Sequence, residues 1–401
     1  MDKVLVKAVQ CASEYLTSLQ DRRVFPSDKE LANLAALDDA LADQGADPAE
    51  IIDLLHRVGS PATVASAGGR YFGYVIGGSL PVALGANWLA GAWDQNAFMA
   101  SASPVAARIE ETALHWLLDV LRLPAGCGGA FVTGATMASF TALAAVRHAL
   151  LAKSGWNVEE NGLFGAPEIN VVVSEETHTS VLKALSMLGL GSRRVVGALV
   201  DTQGRIVLNE LPPLTPSTLI CTQAGNVNTG AFDPIGDICV RAHQVGAWVH
   251  VDGAFGLWGA ATPTLAHLTD GVAEADSWAT DGHKWLNVPY DSGFAFVRDP
   301  VQLHSAMASS AAYYAPSTAR EPSQFTPESS RRARGIEVWA ALRSLGRQGL
   351  ADLIERTCRH ARRFAVGLED TGFSILNDVV LNQVLVWERR AHKTGDRRRS
   401  G

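Results

Sequence analysis

The sequence predicts an α/β protein: a mostly parallel sheet with helices on both faces. Three observations carry this expectation. Between residues 128 and 297, short apolar runs alternate with longer stretches of helical spacing, the rhythm of βαβ units. One run, Trp248 to Val251, ends in a carboxylate, Asp252, followed by Gly253 and Ala254. That is how a buried parallel strand reaches the carboxyl edge of a sheet, where such folds place ligands. A third run, Ala130 to Thr133, meets Gly134 and then an Ala-rich helix from Ala135, leaving free N–H groups that suit an anion. It has no Walker lysine, so it is not a nucleotide P-loop.

Taken in order, residues 1 to about 60 read as helical. Val4, Ala8, Cys11, Ala12 and Leu16 share one face, and Pro48 opens a second helix. This amphipathic arm, residues 1–65, lies either on a partner subunit or on the chain's own large domain. The Gly-dense stretch Gly68 to Gly78 carries Tyr71, Phe72 and Tyr74, either an aromatic wall or ordinary packing. Tyr71 to Trp93 holds no charge, but Pro81, Asn87 and its glycines favour buried backbone over a membrane span. Ser103-Pro104 starts a helix that ends near Leu123-Pro124.

Further strands are predicted at Ile169–Val173, Arg194–Val200, Leu219–Thr222 and Gly293–Val297, with a helix at Gly236–Gln244. His178 falls in a loop after a strand, where a surface residue and a functional one are both at home. Gln223 to Gly230 is either a turn or a ligand-lining loop. Ser305 to Ser330, with Tyr313 and Tyr314, reads as a long loop. Arg331, Arg332 and Arg334 read as a solvated or interface face opening a helix, followed by a helix over 349–368 and a strand near Val379–Val386. Glu388 to Gly401 reads as a disordered tail. These divisions predict three parts: the arm (1–65), a large domain (66–300) and a small C-terminal α+β domain (301–401).

Composition narrows the class. With 401 residues, 47% hydrophobic and 19% charged, the chain is long enough for one large core and a smaller part. A net charge of -7 argues against nucleic acid or an anionic membrane as the main partner. Five scattered cysteines and an N-terminus without an apolar signal core suit a cytoplasmic protein with free thiols.

The chemistry concentrates in 247–285. Thirty-two positions after Asp252, Lys284 follows Asp281-Gly282-His283 in a turn and precedes apolar Trp285. Desolvation there favours the neutral, nucleophilic amine. One acid and one amine at the same edge suit pyridoxal 5'-phosphate, the acid on the pyridine nitrogen and the amine forming a Schiff base. Two plainer readings remain: Asp252 as a helix cap with Lys284 in solvent, or zinc on His250, Asp252 and His283.

Together, H-V-D-G-A-F-G, D-S-W-A-T-D-G-H-K-W-L-N-V-P-Y-D and T-G-A-T-M-A-S-F-T-A-L resemble the pyridoxal-phosphate-dependent decarboxylases of group II, the aromatic-L-amino-acid and glutamate decarboxylase-like proteins of fold type I. The likeness runs from about Gly68 to Leu350. It implies the Schiff-base lysine at Lys284, the partner of the pyridine nitrogen at Asp252, and a stacking imidazole at His178. Ala254 matches the small residue on the opposite ring face. Ala135 and Thr136 match the phosphate-binding pair, with Gly134 and His283 beside them in the cofactor site. Tyr74 and Phe98 match the substrate side-chain pocket, leaning towards an aromatic or apolar amino acid.

The implied activity is decarboxylation of an L-amino acid to amine and CO2 by a homodimer, with no metal. Three departures stand out. Asp281 replaces the family's usual Asn, no loop tyrosine aligns as the proton donor, and the family pattern gives out after Val386. They leave open another Cα reaction (oxidative deamination, aminotransfer or C–S lysis) or a relative that binds cofactor without turnover.

Overall fold

The structure is a computed structural model that describes residues 2–309 and 320–387. The chain divides into two compact units, Met1–Ser79 and Leu80–Gly401. The first is helical: α1 (Lys3–Ser18), α2 (Asp28–Ala32), α3 (Pro48–Leu54) and α4 (Ser60–Ala62). Asp2 caps α1, Ser27 and Glu30 form a reciprocal capping box on α2, and Asp47 caps α3 ahead of its N1 proline.

The second unit is built on a seven-stranded sheet. Its strands are β1 (Gly128–Val132), β2 (Asn170–Ser174), β3 (Val196–Ala198), β4 (Thr218–Gln223), β5 (Trp248–Asp252), β6 (Ser277–Asp281) and β7 (Gly293–Val297), in spatial order β1-β7-β6-β5-β4-β2-β3. Every neighbouring pair is parallel except those involving β7, which runs antiparallel between β1 and β6. The carboxyl ends of β1, β4, β5 and β6 therefore share one edge, and the start of β7 joins them there. Gly293 is paired with Val132 on one side and Asp281 on the other.

Register sorts the buried strand residues onto two faces. One carries Ala130, Val132, Ala279, Ala295 and Val297, small enough for α7 (Ala135–Ala152) to lie close. The other carries Phe131, Phe294 and Trp278, all fully enclosed, with Phe131 edge-on to Phe294 at 5.1 Å. Burying each such ring contributes about 1.5–3 kcal/mol, and edge-on geometry about 0.5–1.5 kcal/mol more. Among the described residues α7 alone is long and apolar enough to cross a membrane, and it sits mostly buried in this core.

Around the sheet lie α5 (Pro81–Trp93), α6 (Pro104–Val120), α8 (Val158–Asn161), α9 (Thr179–Met187), α10 (Ile235–Val245), α11 (Pro300–Met307) and α12 (Gly335–Asp370). The boundaries follow local chemistry: Ser103 caps α6 before Pro104, and Gly246 ends α10 in the left-handed conformation.

Several expectations need correction. Asp281, read as a turn residue, closes a strand, β6. The first C-terminal helix begins at Gly335, after the arginines, and the second follows it across a break at Gly346 (φ 60°), the two together forming α12. The strand expected near Val379–Val386 is reduced to Val386–Trp387, which pairs with Ser374–Ile375 while Val379 turns at φ 47°. In the uncharged stretch, Val82, Trp88, Leu89 and Trp93 of α5 are exposed. Arg331 is no solvated face. Its guanidinium is enclosed, donating to Glu110 Oε2 (2.7 Å), Ala97 O (3.0 Å) and Phe131 O (2.9 Å), while Arg334 pairs with Asp291. Tyr313, Tyr314 and the tail from Glu388 lie outside the described residues.

Candidate active site

At the carboxyl edge, register puts Gln223, Asp252 and Asp281 on the same face of the sheet as Ala279, above the start of α7. Gln223 is the in-register partner of Asp252, and Asp252 of Ala279. Backbone bonds tie the strand ends together. Ala224 N–H donates to Asp252 O (2.8 Å), Gly253 N–H to Ala279 O (2.8 Å) and Asp281 N–H to Ala254 O (3.0 Å). A cleft of about 340 Å³ opens there, lined by Gly134, Ala135, Thr136, His178, Asp252, Ala254, Asp281, His283 and Lys284 among others. Two larger grooves lie elsewhere, around Arg22 and around Asp237, and hold none of these residues.

Lys284 Nζ stands 3.2 Å from Asp281 Oδ2 and 5.8 Å from the centre of the Phe255 ring. Asp252 is buried, and loss of water pushes its carboxyl up; Lys284 and His178, then the Ala254 N–H at 3.1 Å, pull the other way. A cation placed against it, such as a protonated ring nitrogen, would relieve that burial cost. His178 caps α9. Ser180 N–H donates to its Nδ1 (3.2 Å), so the neutral ring carries its proton on Nε2. His283 is ordered the same way. Ser292 N–H donates to its Nδ1 (3.1 Å), Nε2 lies 3.4 Å from Asp281 Oδ1, and burial holds its pKa below the usual value.

The anion cup is formed by a close approach of two backbones. A Cβ on Gly293 would sit 2.4 Å from Gly134 Cα, so β7 and the turn before α7 touch with no room for a side chain. The Ala135 N–H, at the first position of α7, donates to Asp281 Oδ1 at 2.5 Å. A helix start is a place where anions bind, and here the Asp281 carboxylate takes that place.

The sequence-predicted residues Lys284, Asp252, His178, Ala254, Gly134, Ala135, Thr136 and His283 thus line one cleft. Phe98 is not among its lining residues; it is half-buried, its carbonyl accepting from Ser323 N–H (2.9 Å). Tyr74 belongs to the N-terminal unit, exposed, at φ 56°. Of the zinc alternatives, His250 is enclosed in the core with Nδ1 on Ser277 Oγ (2.9 Å). Sequence reasoning missed Phe255 and Gly293, and had Gln223 only as the start of a stretch that is either a turn or a ligand-lining loop. Gln223 is the last residue of β4 and Phe255 lies three residues past the end of β5, places at the carboxyl edge that would have flagged them.

A lysine, a buried carboxylate and an anion-binding helix start at one edge of this sheet define the fold-type-I pyridoxal-phosphate class. The chain belongs to the family of the pyridoxal-dependent decarboxylase conserved domain, whose model matches residues 32–389. It is 27% identical over 325 residues to an aromatic-L-amino-acid decarboxylase of Bacillus atrophaeus, covering 77% of this chain and 65% of that protein. It is 32% identical over 257 residues to an aspartate 1-decarboxylase of Aliivibrio fischeri, covering 59% and 46%. The chain thus spans about half to two thirds of these two relatives. Crystal structures of mouse CSAD (apo form; TM-score 0.87, 23% identity, 95% of this chain and 82% of that chain) and of Oryza sativa TDC with PLP and tryptamine (0.84, 24%, 93% and 80%) share the fold.

Proposed function

We propose that the chain is a pyridoxal-phosphate-dependent carboxy-lyase that converts an L-amino acid to its amine and CO2. The observation that carries this reading is the meeting of Lys284, Asp252 and the Ala135 N–H in one cleft. The donor set fits the cofactor: an amine for its aldehyde, a buried acid for its ring nitrogen and a helix start for its phosphate. When bound, pyridoxal 5'-phosphate supplies a cationic ring that accepts the electron pair left on Cα as CO2 departs.

The chain's own residues do the rest. Lys284 presents the amine, with Asp281 beside it to hold the proton that the amine must lose. Asp252, desolvated and fixed by the Ala254 N–H, would keep a proton on the ring nitrogen. His178 offers a flat face with Nε2–H outward, and Ala254 leaves room for a ring to lie close. Gly134, Ala135, Thr136 and His283 would hold the phosphate end. Overall, one Cα–carboxylate bond breaks, one Cα–H bond forms and one proton is consumed. The resemblance further assigns Tyr74 and Phe98 to the substrate side chain; substituting each by Ala and repeating a panel of L-amino acids tests that.

Exposed Val82, Trp88, Leu89 and Trp93 on α5 support a homodimer, and five free cysteines support a reducing, cytoplasmic setting. Sedimentation tests the first. For the reaction, the protein is loaded with pyridoxal 5'-phosphate, reduced with borohydride and mapped by mass spectrometry, then assayed with L-amino acids. An adduct at Lys284 with recovery of amine and CO2 is expected. Absence of that adduct overturns the reading, and aldehyde with ammonia replaces decarboxylation by another Cα reaction.

A further inference from the structure

Phe255 is buried in the wall of the cleft, and the centre of its ring stands 5.8 Å from Lys284 Nζ. That is within the roughly 6 Å over which an ammonium is drawn to the negative face of an aromatic ring. Asp281 Oδ2 holds the same ammonium at 3.2 Å. Lys284 therefore has two partners of different kinds, a carboxylate and a ring. A phenyl ring has no hydrogen bond to give or accept, so what it offers this polar part of the cleft is its face.

Backbone holds that ring in place. A Cβ on Gly225 would meet Phe255 Cε2 at 3.0 Å and Cζ at 3.1 Å, so the ring lies directly on the chain there. Gly225 also stands at φ 98°, a conformation that glycine takes without strain. Gly256, next to Phe255 in the chain, has no room for a Cβ either, because Ala224 O fills the space. The segments leaving β4 and β5 thus approach until the ring is wedged against main chain. It has little freedom to turn away from Lys284.

We propose that Phe255 is a positioning residue for Lys284, its ring face the seat of the ε-ammonium whenever that amine is not bonded to the cofactor. The seat stands on the geometry alone; its use in turnover rests on the cofactor reading above. Each time a substrate amine takes the aldehyde, Lys284 is set free on a flexible four-carbon stem and must wait within reach. Asp281 attracts the charge from any direction, whereas the ring favours it only above its face, so the pair defines one position. The neutral amine gains little from the ring. When the proton passes from Nζ to the Asp281 carboxylate, the lysine is therefore released from the seat to react.

Fluorine drains negative charge from a ring face while barely changing its size, which separates the seat from mere packing. Phe255 is replaced in the full chain by its 4-fluoro, 3,5-difluoro and 3,4,5-trifluoro forms, and thermal melts check that each variant folds. Free amines are then labelled with formaldehyde and cyanoborohydride, which act on the unprotonated amine. Mass spectrometry reads Lys284 against Lys153, exposed at the far end of α7, in the same sample. The Lys284-to-Lys153 ratio is expected to rise with each fluorine, reaching about two- to fivefold in the trifluoro form. Phe255→Leu, which has no ring face, should match or exceed that value, and serves if the trifluoro form does not fold. Equal ratios across the series overturn the seat, whatever the cofactor does. A rising ratio with no borohydride-reducible adduct at Lys284 in wild type supports the seat and overturns the cofactor reading, and with it the use in turnover.

Discussion

Asp281 Oδ1 accepts the Ala135 N–H at 2.5 Å, so an acidic side chain occupies the helix start proposed to hold the cofactor's phosphate. Phosphate and carboxylate therefore compete for one donor, and the carboxylate also draws the Lys284 ammonium to 3.2 Å. Asp281→Asn keeps an acceptor for the N–H and removes the charge. Like charges about 4 Å apart repel by about 1 kcal/mol in water and about 4 kcal/mol in a partly buried site. Asp281→Asn is expected to bind inorganic phosphate and the cofactor at least about fivefold more tightly, measured by equilibrium titration. Weaker phosphate binding would show that the carboxylate assists the cup.

Two buried groups pull the stability of the protein in opposite directions with pH. Burial raises Asp233 to about 7, so its native form holds a proton that the unfolded chain has lost. That contribution is complete below pH ~3.8 and vanishes as pH rises through about 7. Burial lowers His250 to about 3, so stability from this ring is complete above pH ~6.5 and vanishes as pH falls towards 3. Between about pH 4 and 6.5 the two slopes cancel, each about 1.4 kcal/mol per pH unit. Asp233→Asn should uncover the His250 slope, with stability rising with pH over that window in urea melts. A variant with the same pH slope as wild type would refute the assignment.

A methyl group at Gly293 would meet the backbone of Gly134 at 2.4–2.8 Å, where neither chain has a flexible end to move. Gly293→Ala is expected to lose about 1–3 kcal/mol of stability and to weaken phosphate binding together. Thermal melts and a phosphate titration read the two effects. A stable variant with unchanged binding would show that the contact is not what shapes the cup.

Glu110 is enclosed between Arg331 at 2.7 Å and Arg320 at 3.3 Å. Glu110→Ala leaves the Arg331 guanidinium buried with no counter-charge, at an expected cost of about 3–5 kcal/mol. Glu110→Met with both Arg331→Met and Arg320→Met should recover much of it. Chemical denaturation of the single and triple variants gives the comparison.

What could be read from the chain in advance was what lies close along it. Asp252 follows its own strand, Lys284 its own turn, and the cup is a strand, a glycine and a helix in direct succession. The resemblance carried across the same motifs. Arg331 was misread because its partner Glu110 is 221 positions away, and nothing local distinguishes a buried arginine from a solvated one. Gln223 needed the register of β4 against β5, which only the assembled sheet provides. Asp281 stood out as an unusual residue for the family, but its bond to the Ala135 N–H joins two segments 146 positions apart.

The antiparallel strand β7 has a consequence of its own. By lying between β1 and β6 it sets the cup and the lysine turn two inter-strand steps apart, roughly 9.6 Å. That interval is ruled by main-chain pairing and so is indifferent to which side chains fill the interior. Mutational drift in the core could soften this molecule considerably before the spacing between those two strand ends changed.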